Sequence, residues 1–208
     1  MRSLPDSLVW LRRIAYCRGF GVQSPSVYSF IRYVVSEHYP YYAYADLRKA
    51  IPEMRGRERR LCQLYFRIAN NRQAGHWLVV GRNSTGGNAI GAEAERQYIN
   101  AGCRNTMVEH LGYNEASRVM GQIFAESDAP VVATIAQSVD ASAFAETFCT
   151  SAREHDLLIV EGIGTCKSAK CLWQKVTTDT RVSVSLDLFY CGIAFFDHRY
   201  KQNFKVNF

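Results

Sequence analysis

The residues best suited to chemistry are two glycines and two acids that lie at the ends of short apolar runs. Gly81 closes one run, and Gly86 lies in the polar turn that follows it. Glu109 closes the run 105–109, and Glu161 directly follows the run 157–160. Glycines in such a turn let a ligand approach the backbone closely, whereas carboxylates accept hydrogen bonds from hydroxyl groups or take up a proton. This pattern predicts a ligand site with Glu161 as its candidate catalytic residue.

Strands and helices alternate along the second part of the chain. The apolar runs 76–81, 105–109, 131–135 and 157–160 have the length and composition of buried strands. A segment of helical length follows each of them. This order predicts a Rossmann-like α/β fold, mainly parallel and covered by helices on both faces. The carboxyl ends of such strands share one edge, where these sheets bind ligands.

Both ends of the chain depart from this alternation. Residues 1–72 predict a helical N-terminal extension, with helices near 4–18, after Pro25 and near 57–71, and an irregular aromatic stretch at 38–47.

The last 27 or so residues, 182–208, hold three short β-rich runs with no room for helices between them. They predict antiparallel strands at one edge of the sheet. We therefore expect a single domain over 1–208, in which residues 73–208 form the Rossmann-like core.

The composition argues against two classes of partner, nucleic acids and membranes. The 208 residues carry a formal net charge of +6, but the basic residues are dispersed, and the densest cluster, Arg55–Arg60, is typical of a solvated helix start. Aromatic and basic residues do not alternate as in single-strand binders, so nucleic acid is not expected as a partner. No apolar run reaches membrane-spanning length and the charged N-terminus is unlike a secretory signal. These features predict a cytoplasmic protein without a membrane partner.

The sequence offers few metal ligands. Its seven cysteines are scattered without a paired spacing, and the histidines are isolated. Glu161 and Asp187 are the only evident oxygen ligands, and they lie on different strands. We expect no metal.

Five motifs near the chain ends carry a family resemblance. They are GFGVQSP at 19–25, PYYAY at 40–44, SLDLF at 185–189, GIAFF at 192–196 and KQNF at 201–204. On these motifs the chain resembles a bacterial family of class I S-adenosylmethionine-dependent methyltransferase-like proteins over almost its whole length.

The resemblance implies a cofactor, S-adenosylmethionine, and an unknown, small-molecule methyl acceptor. Gly81 and Gly86 would bind the cofactor through the glycine turn, Glu109 would accept hydrogen bonds from the ribose, and Glu161 would lie on the acceptor side. The oligomeric state and the acceptor's identity do not follow from it.

The chain also departs from the family pattern. Val79 stands where the family has an acid, and Asn83 and Thr85 stand where it has glycines. About one strand–helix unit is missing, either before or after the run 157–160. These departures support an alternative: a non-catalytic methyltransferase-fold protein that binds or interacts with a partner and has lost the cofactor.

Overall fold

A single seven-stranded sheet forms the centre of the molecule. The computed structural model describes residues 6–16, 22, 24–54, 56–81, 89–136, 141–198 and 200–208. The strands within these ranges are β1 (His76–Val80), β2 (Met107–Leu111), β3 (Val131–Ile135), β4 (Leu157–Glu161), β5 (Val184–Asp187), β6 (Cys191–Phe195) and β7 (Gln202–Lys205). They are ordered β2–β1–β3–β4–β6–β5–β7.

Among these described strands, only β6 runs against the others. It pairs antiparallel with β4 on one side and β5 on the other, whereas β7 pairs parallel with β5. The predicted mostly parallel, Rossmann-like α/β architecture is confirmed. The predicted antiparallel edge is wrong in detail, because the reversed strand lies inside the sheet and the edge strand β7 is parallel. The short connection 188–190 forces β6 to turn back beside β5.

The strand order reverses direction at β1. The chain moves from β1 outward to β2 and then returns across β1 to β3. Such a switch point leaves a crevice beyond the carboxyl ends of the two strands on either side, here β1 and β3.

Helices cover both faces of the sheet. Within the described residues these are α1 (Asp6–Arg12), α2 (Pro25–Phe30), α3 (Tyr42–Ala50), α4 (Gly56–Arg72), α5 (Ala89–Gly102), α6 (Tyr113–Glu126), α7 (Ser142–Ser151) and α8 (Lys167–Thr178). A π-helical turn, Ile31–Val35, continues α2. Helices α2, α4 and α5 pack on the face that carries Trp77 and Val79, and α6, α7 and α8 pack on the face that carries Leu78 and Val80.

Two sequence-based boundaries are wrong in ways that matter for the site. The stretch 38–47 was expected to be irregular, but α3 begins at Tyr42 because Leu47 and Ile51 bury an apolar face against α4 and α5. The second strand was expected at 105–109 but spans 107–111, since Thr106 instead hydrogen-bonds the Ala74 carbonyl at 2.7 Å.

The N-terminal helices are tied to the last strands. Arg13 donates to the carbonyl oxygens of Asp187 and Val206, and its guanidinium is 3.1 Å from the Asp187 carboxylate. The Asn207 amide donates to the Tyr16 carbonyl at 3.0 Å. None of the helices in the described ranges is long and apolar enough to cross a bilayer.

Close packing of α8 on β6 requires a glycine, which yields a stability prediction. A Cβ on Gly192 would lie 2.6 Å from the Trp173 ring, which is itself buried. We expect Gly192→Ala to lower the free energy of unfolding by about 1–3 kcal/mol, because an overpacked core must shift.

Gly121→Ala on α6 is the matched control, since a Cβ added at this position would meet no described atom within 4 Å. Removing a helical glycine there should stabilise by about 0.5–1 kcal/mol. Urea unfolding of both variants measures the difference. Equal effects of the two substitutions would contradict the close α8–β6 contact.

Candidate functional site

Gly81 stands at the carboxyl end of β1 in a conformation that other residues rarely adopt. Its φ is +86°, and its amide donates to the Leu111 carbonyl at 2.9 Å. A Cβ at this position would overlap the hydroxyl of Tyr113. Glycine is therefore required both for the backbone turn and for the Tyr113 side chain. The other predicted glycine, Gly86, lies outside the described residues.

Tyr113 is a site residue that the sequence analysis missed. It begins α6, directly after β2, so its ring reaches Gly81 across the carboxyl end of the sheet. Its hydroxyl is buried and has no hydrogen-bond partner among the described residues. Burial raises the pKa of this phenol, so the hydroxyl stays protonated at neutral pH and can donate a hydrogen bond. A buried polar group without a partner is a candidate ligand contact.

The backbone amide of Gly112, directly after β2, already has a hydrogen-bond acceptor. The Gly112 N–H donates to the Glu115 carboxylate at 2.9 Å, which closes the start of α6. Glu115 thus places a carboxylate beside Tyr113 at the carboxyl edge of the sheet.

Glu109 lies farther from this edge than the sequence predicts. It pairs with Leu78 in the middle of β2, and its carboxylate is 3.9 Å from Nδ1 of His76, at the start of β1. Gly81 is three residues beyond Leu78, roughly 10 Å along the strand. The structure does not bring Glu109 and Gly81 together, because β2 is displaced by two residues from its predicted position. The ribose role of Glu109 remains a prediction from the resemblance.

A buried acid–imidazole pair lies on the opposite face of β2. His110 Nε2 is 3.5 Å from Glu95 Oε2 on α5, and both side chains are at most 5% exposed. His110 is buried because α5 covers this face, and the buried imidazole is accompanied by an acid.

Glu161 is buried at the carboxyl end of β4. It is 5% exposed, and the Tyr65 hydroxyl donates to its Oε1 at 2.6 Å from α4. The next residue, Gly162, has a φ of +74° and donates its amide to the Tyr190 carbonyl at 2.6 Å. Glu161 is therefore held between α4 and the β5–β6 connection.

Two arginines cover the ring of Tyr190. The guanidinium carbons of Arg57 and Arg60 lie 4.5 and 5.7 Å from the ring centroid, within the range of a cation–π interaction. Both arginines belong to the first turn and a half of α4. They place positive charge at the same edge of the sheet as Glu161.

The β5–β6 connection has a strained conformation. Phe189 has a φ of +70°, which is rare for a bulky residue and costs on the order of 1–3 kcal/mol. Its amide donates to Oδ1 of Asp187 at 2.8 Å, and its ring packs against the space that a side chain on Gly164 would need. Because Asp187 also contacts Arg13, its carboxylate supports the connection. The described residues contain no cluster of three metal-ligating side chains.

The two halves of the candidate site are separated by one strand. Gly81 and Tyr113 follow β1 and β2, whereas Glu161 ends β4 and Tyr190 directly precedes β6. Because β3 lies between β1 and β4, the halves are roughly 10 Å apart at the strand spacing of parallel sheets. This separation suits two ligands that lie side by side over the carboxyl edge.

A cleft lies at the opposite edge of the sheet. It has a volume of about 620 Å³ and is lined in part by Phe30, Arg72, His155 and Phe195. Arg72 packs over the rings of both phenylalanines, 5.6 and 5.2 Å from their centroids. This cleft lies at the amino ends of the parallel strands, whereas α/β sheets bind ligands beyond the carboxyl ends.

The sheet order defines the class of protein: a Rossmann-like α/β protein whose strand order switches between β1 and β3. No protein-family model matches the sequence, and no curated protein is detectably similar to it.

The Tyr65–Glu161 hydrogen bond generates a prediction about stability. Tyr65→Phe and Glu161→Gln each alter a buried bond to a carboxylate, and we expect a coupling energy of about 1.5–3 kcal/mol between them. A double-mutant cycle measured by urea unfolding tests this expectation.

Thr147→Ala, on the exposed surface of α7, provides the control partner. Combined with Tyr65→Phe, it should give additive changes in unfolding free energy, because its hydroxyl donates to the Ala143 carbonyl of its own helix, remote from Tyr65. Additivity of Tyr65→Phe with Glu161→Gln as well would contradict a significant interaction between those two side chains.

Proposed function

We propose that this protein is an S-adenosylmethionine-dependent methyltransferase that acts on a small-molecule acceptor in the cytoplasm. The observation that carries the proposal is the single reversed strand, β6, inserted between β4 and β5 of the otherwise parallel sheet in the described residues. A parallel sheet with a reversed C-terminal hairpin is the outline of the family that the terminal motifs resemble.

The residues beyond β1 and β2 support a cofactor site. Gly81 has the left-handed backbone that a glycine turn requires, and Tyr113 presents a buried hydroxyl without a partner among the described residues. These residues fit a polar ligand that accepts a hydrogen bond at the switch point. Gly81 and Tyr113 would bind S-adenosylmethionine, which when bound supplies an electrophilic methyl group.

The residues beyond β4 support an acceptor site. Glu161 is the carboxylate at the end of β4, and Tyr65 fixes the orientation of that carboxylate through a 2.6 Å hydrogen bond. A hydroxyl acceptor must lose its proton as it is methylated, and Glu161 would accept that proton. Most of the rate enhancement would come from holding the acceptor in line with the methyl group.

A second candidate is a non-catalytic protein of the same fold that binds a partner. Two observations favour it. Val79, at the position of the family's acid, is fully buried in the core, and the Glu109 carboxylate lies next to His76 instead of the Gly81 turn. Both changes remove polar groups from the cofactor side of the crevice.

Calorimetric titration with S-adenosylmethionine and S-adenosylhomocysteine separates the two candidates. We expect weak binding, with a dissociation constant well above micromolar, because two of the family's polar contacts are altered. Tyr113→Phe should weaken binding by about tenfold, since it removes a buried donor.

Glu109→Ala is the matched control. Because its carboxylate lies beside His76, we expect the variant to bind as the parent protein does. Loss of binding in Glu109→Ala alone would restore the ribose role that the resemblance implies and remove the role of Tyr113. No heat from a folded protein with either ligand would exclude the methyltransferase and leave the non-catalytic candidate.

A further inference from the structure

The N-terminal segment 6–16, which consists of α1 and the short helical turn Ile14–Tyr16, directs its apolar side chains away from the protein. Val9 and Arg13 lie on its inner side: Val9 is buried, and Arg13 donates to carbonyl oxygens at the ends of β5 and β7. The outer side carries four large apolar side chains, each 44–56% exposed: Leu8, Trp10, Leu11 and Ile14. A solvated surface helix has the reverse arrangement, with its polar residues outward.

This exposed apolar face is unusual in the molecule and is fixed in position. Among the side chains that the structure describes, no leucine or isoleucine outside the segment is exposed. The side-chain amide of Asn207 donates to the Trp10 carbonyl at 3.2 Å, and its backbone amide donates to the Tyr16 carbonyl at 3.0 Å. A fixed group of exposed apolar side chains indicates a surface that binds a partner.

The surroundings of the apolar face are basic. Arg12 is exposed and forms no ion pair with a described residue. Lys205 is also exposed, and it directly precedes Val206, whose carbonyl accepts a hydrogen bond from Arg13. Residues 1–20 contain four arginines and a single acidic residue, Asp6. Apolar side chains beside basic ones are typical of helices that lie in the interface of an anionic membrane.

A second copy of the chain fits this face less well than a membrane does. In a twofold symmetric interface the same surface of each copy meets the other, so the two Arg12 side chains would approach each other. Like charges at close range oppose such an association. An anionic membrane attracts Arg12 instead, and tryptophan is a preferred residue at the boundary between lipid and water.

We propose that the N-terminal segment 6–16 binds the surface of an anionic membrane, with its four exposed apolar side chains inserted among the lipid headgroups. The sequence-based expectation of no membrane partner rests on the lack of a spanning run and of a secretory signal, and a segment that lies on the surface needs neither. This binding goes beyond the proposed function and does not depend on it. Because Arg13 contacts the carboxyl end of β5, the bound protein would hold the candidate site close to the headgroups.

Trp10 is a direct probe of insertion. Of the three tryptophans in the chain, Trp77 and Trp173 are buried, whereas Trp10 is 48% exposed. Vesicles made of equal parts of phosphatidylglycerol and phosphatidylcholine should shift the tryptophan emission to shorter wavelength. Trp10→Phe should still co-sediment with these vesicles but show no shift. Co-sedimentation of the parent protein without a shift in its emission would overturn insertion of this face.

Substitutions in the face should weaken co-sedimentation with the same vesicles. We expect Leu11→Gln combined with Ile14→Gln to weaken it by about tenfold or more, because two apolar side chains no longer leave water. Arg12→Gln should weaken it by about fivefold, since one basic residue near an anionic surface contributes roughly that factor. Equal binding to vesicles of phosphatidylcholine alone would overturn the role of anionic lipid.

Two control variants lie away from the face. Tyr33→Gln combined with Tyr200→Gln is matched to the apolar pair, since both tyrosines are exposed, Tyr33 lines the cleft at the opposite edge of the sheet, and Tyr200 lies two residues beyond His198 of that cleft. Arg96→Gln, on the exposed side of α5, is matched to Arg12→Gln. Both controls should bind vesicles as the parent protein does, and equal weakening by the controls would overturn the assignment to this face.

Sedimentation velocity without lipid tests the other occupants of the face. Self-association that Leu11→Gln with Ile14→Gln abolishes, together with no vesicle binding, would overturn the proposal in favour of a second copy. No vesicle binding and no self-association by the folded parent protein would overturn it in favour of a different protein. Because the substituted side chains are exposed, each variant should keep the thermal midpoint of the parent protein. Vesicle binding is measured without S-adenosylmethionine, so its failure is distinct from failure of the proposed function.

Discussion

The reversed strand β6 is the constraint on which the rest of the structure depends. All five of its residues are buried, and it is hydrogen-bonded along both sides, to β4 and to β5. Its backbone polar groups are thereby satisfied within the core. Because β6 runs backward, its first residue lies at the carboxyl edge of the parallel strands. The short connection before it must therefore lie beside Glu161, and Tyr190 becomes part of the site.

The same geometry explains why the N-terminal helices matter for function. Helix α4 crosses the sheet from one edge to the other. It places the Tyr65 hydroxyl within hydrogen-bond distance of Glu161 and the Arg57 guanidinium over the ring of Tyr190. Arg13 holds the strained β5–β6 connection through Asp187. Residues outside the Rossmann-like core thus position Glu161 and Tyr190, which form one half of the candidate site at the carboxyl ends of the parallel strands. The other half depends on local packing, in which Tyr113 occupies the space that only a glycine at position 81 leaves open.

The sequence predicted the parts of this arrangement that depend on periodicity. Continuous apolar runs located the first four strands, and the lack of helix-length connections located the last three. The sequence-based prediction was wrong or incomplete where tertiary packing determines the register of a strand or the contacts of a side chain. The register of β2 is fixed by its pairing with β1, so Glu109 lies away from the strand end. Tyr113 and Tyr65 were not predicted as site residues, because a single sequence does not show which residue the hydroxyl of a helical tyrosine will contact. In the structure the Tyr113 hydroxyl lies against Gly81, and the Tyr65 hydroxyl donates to Glu161.

The proposed function requires a ligand to bind beyond the carboxyl ends of β1, β2 and β3, at the switch point of the sheet. Amide chemical shifts in a two-dimensional ¹H–¹⁵N NMR titration with S-adenosylhomocysteine test it most directly, because they report where the ligand binds even when affinity is low. We expect shifts concentrated at Gly81, Gly112 and Ala136, with the amides of His155 and His198 unchanged. Shifts concentrated at those histidines, which line the cleft at the opposite edge, would contradict it.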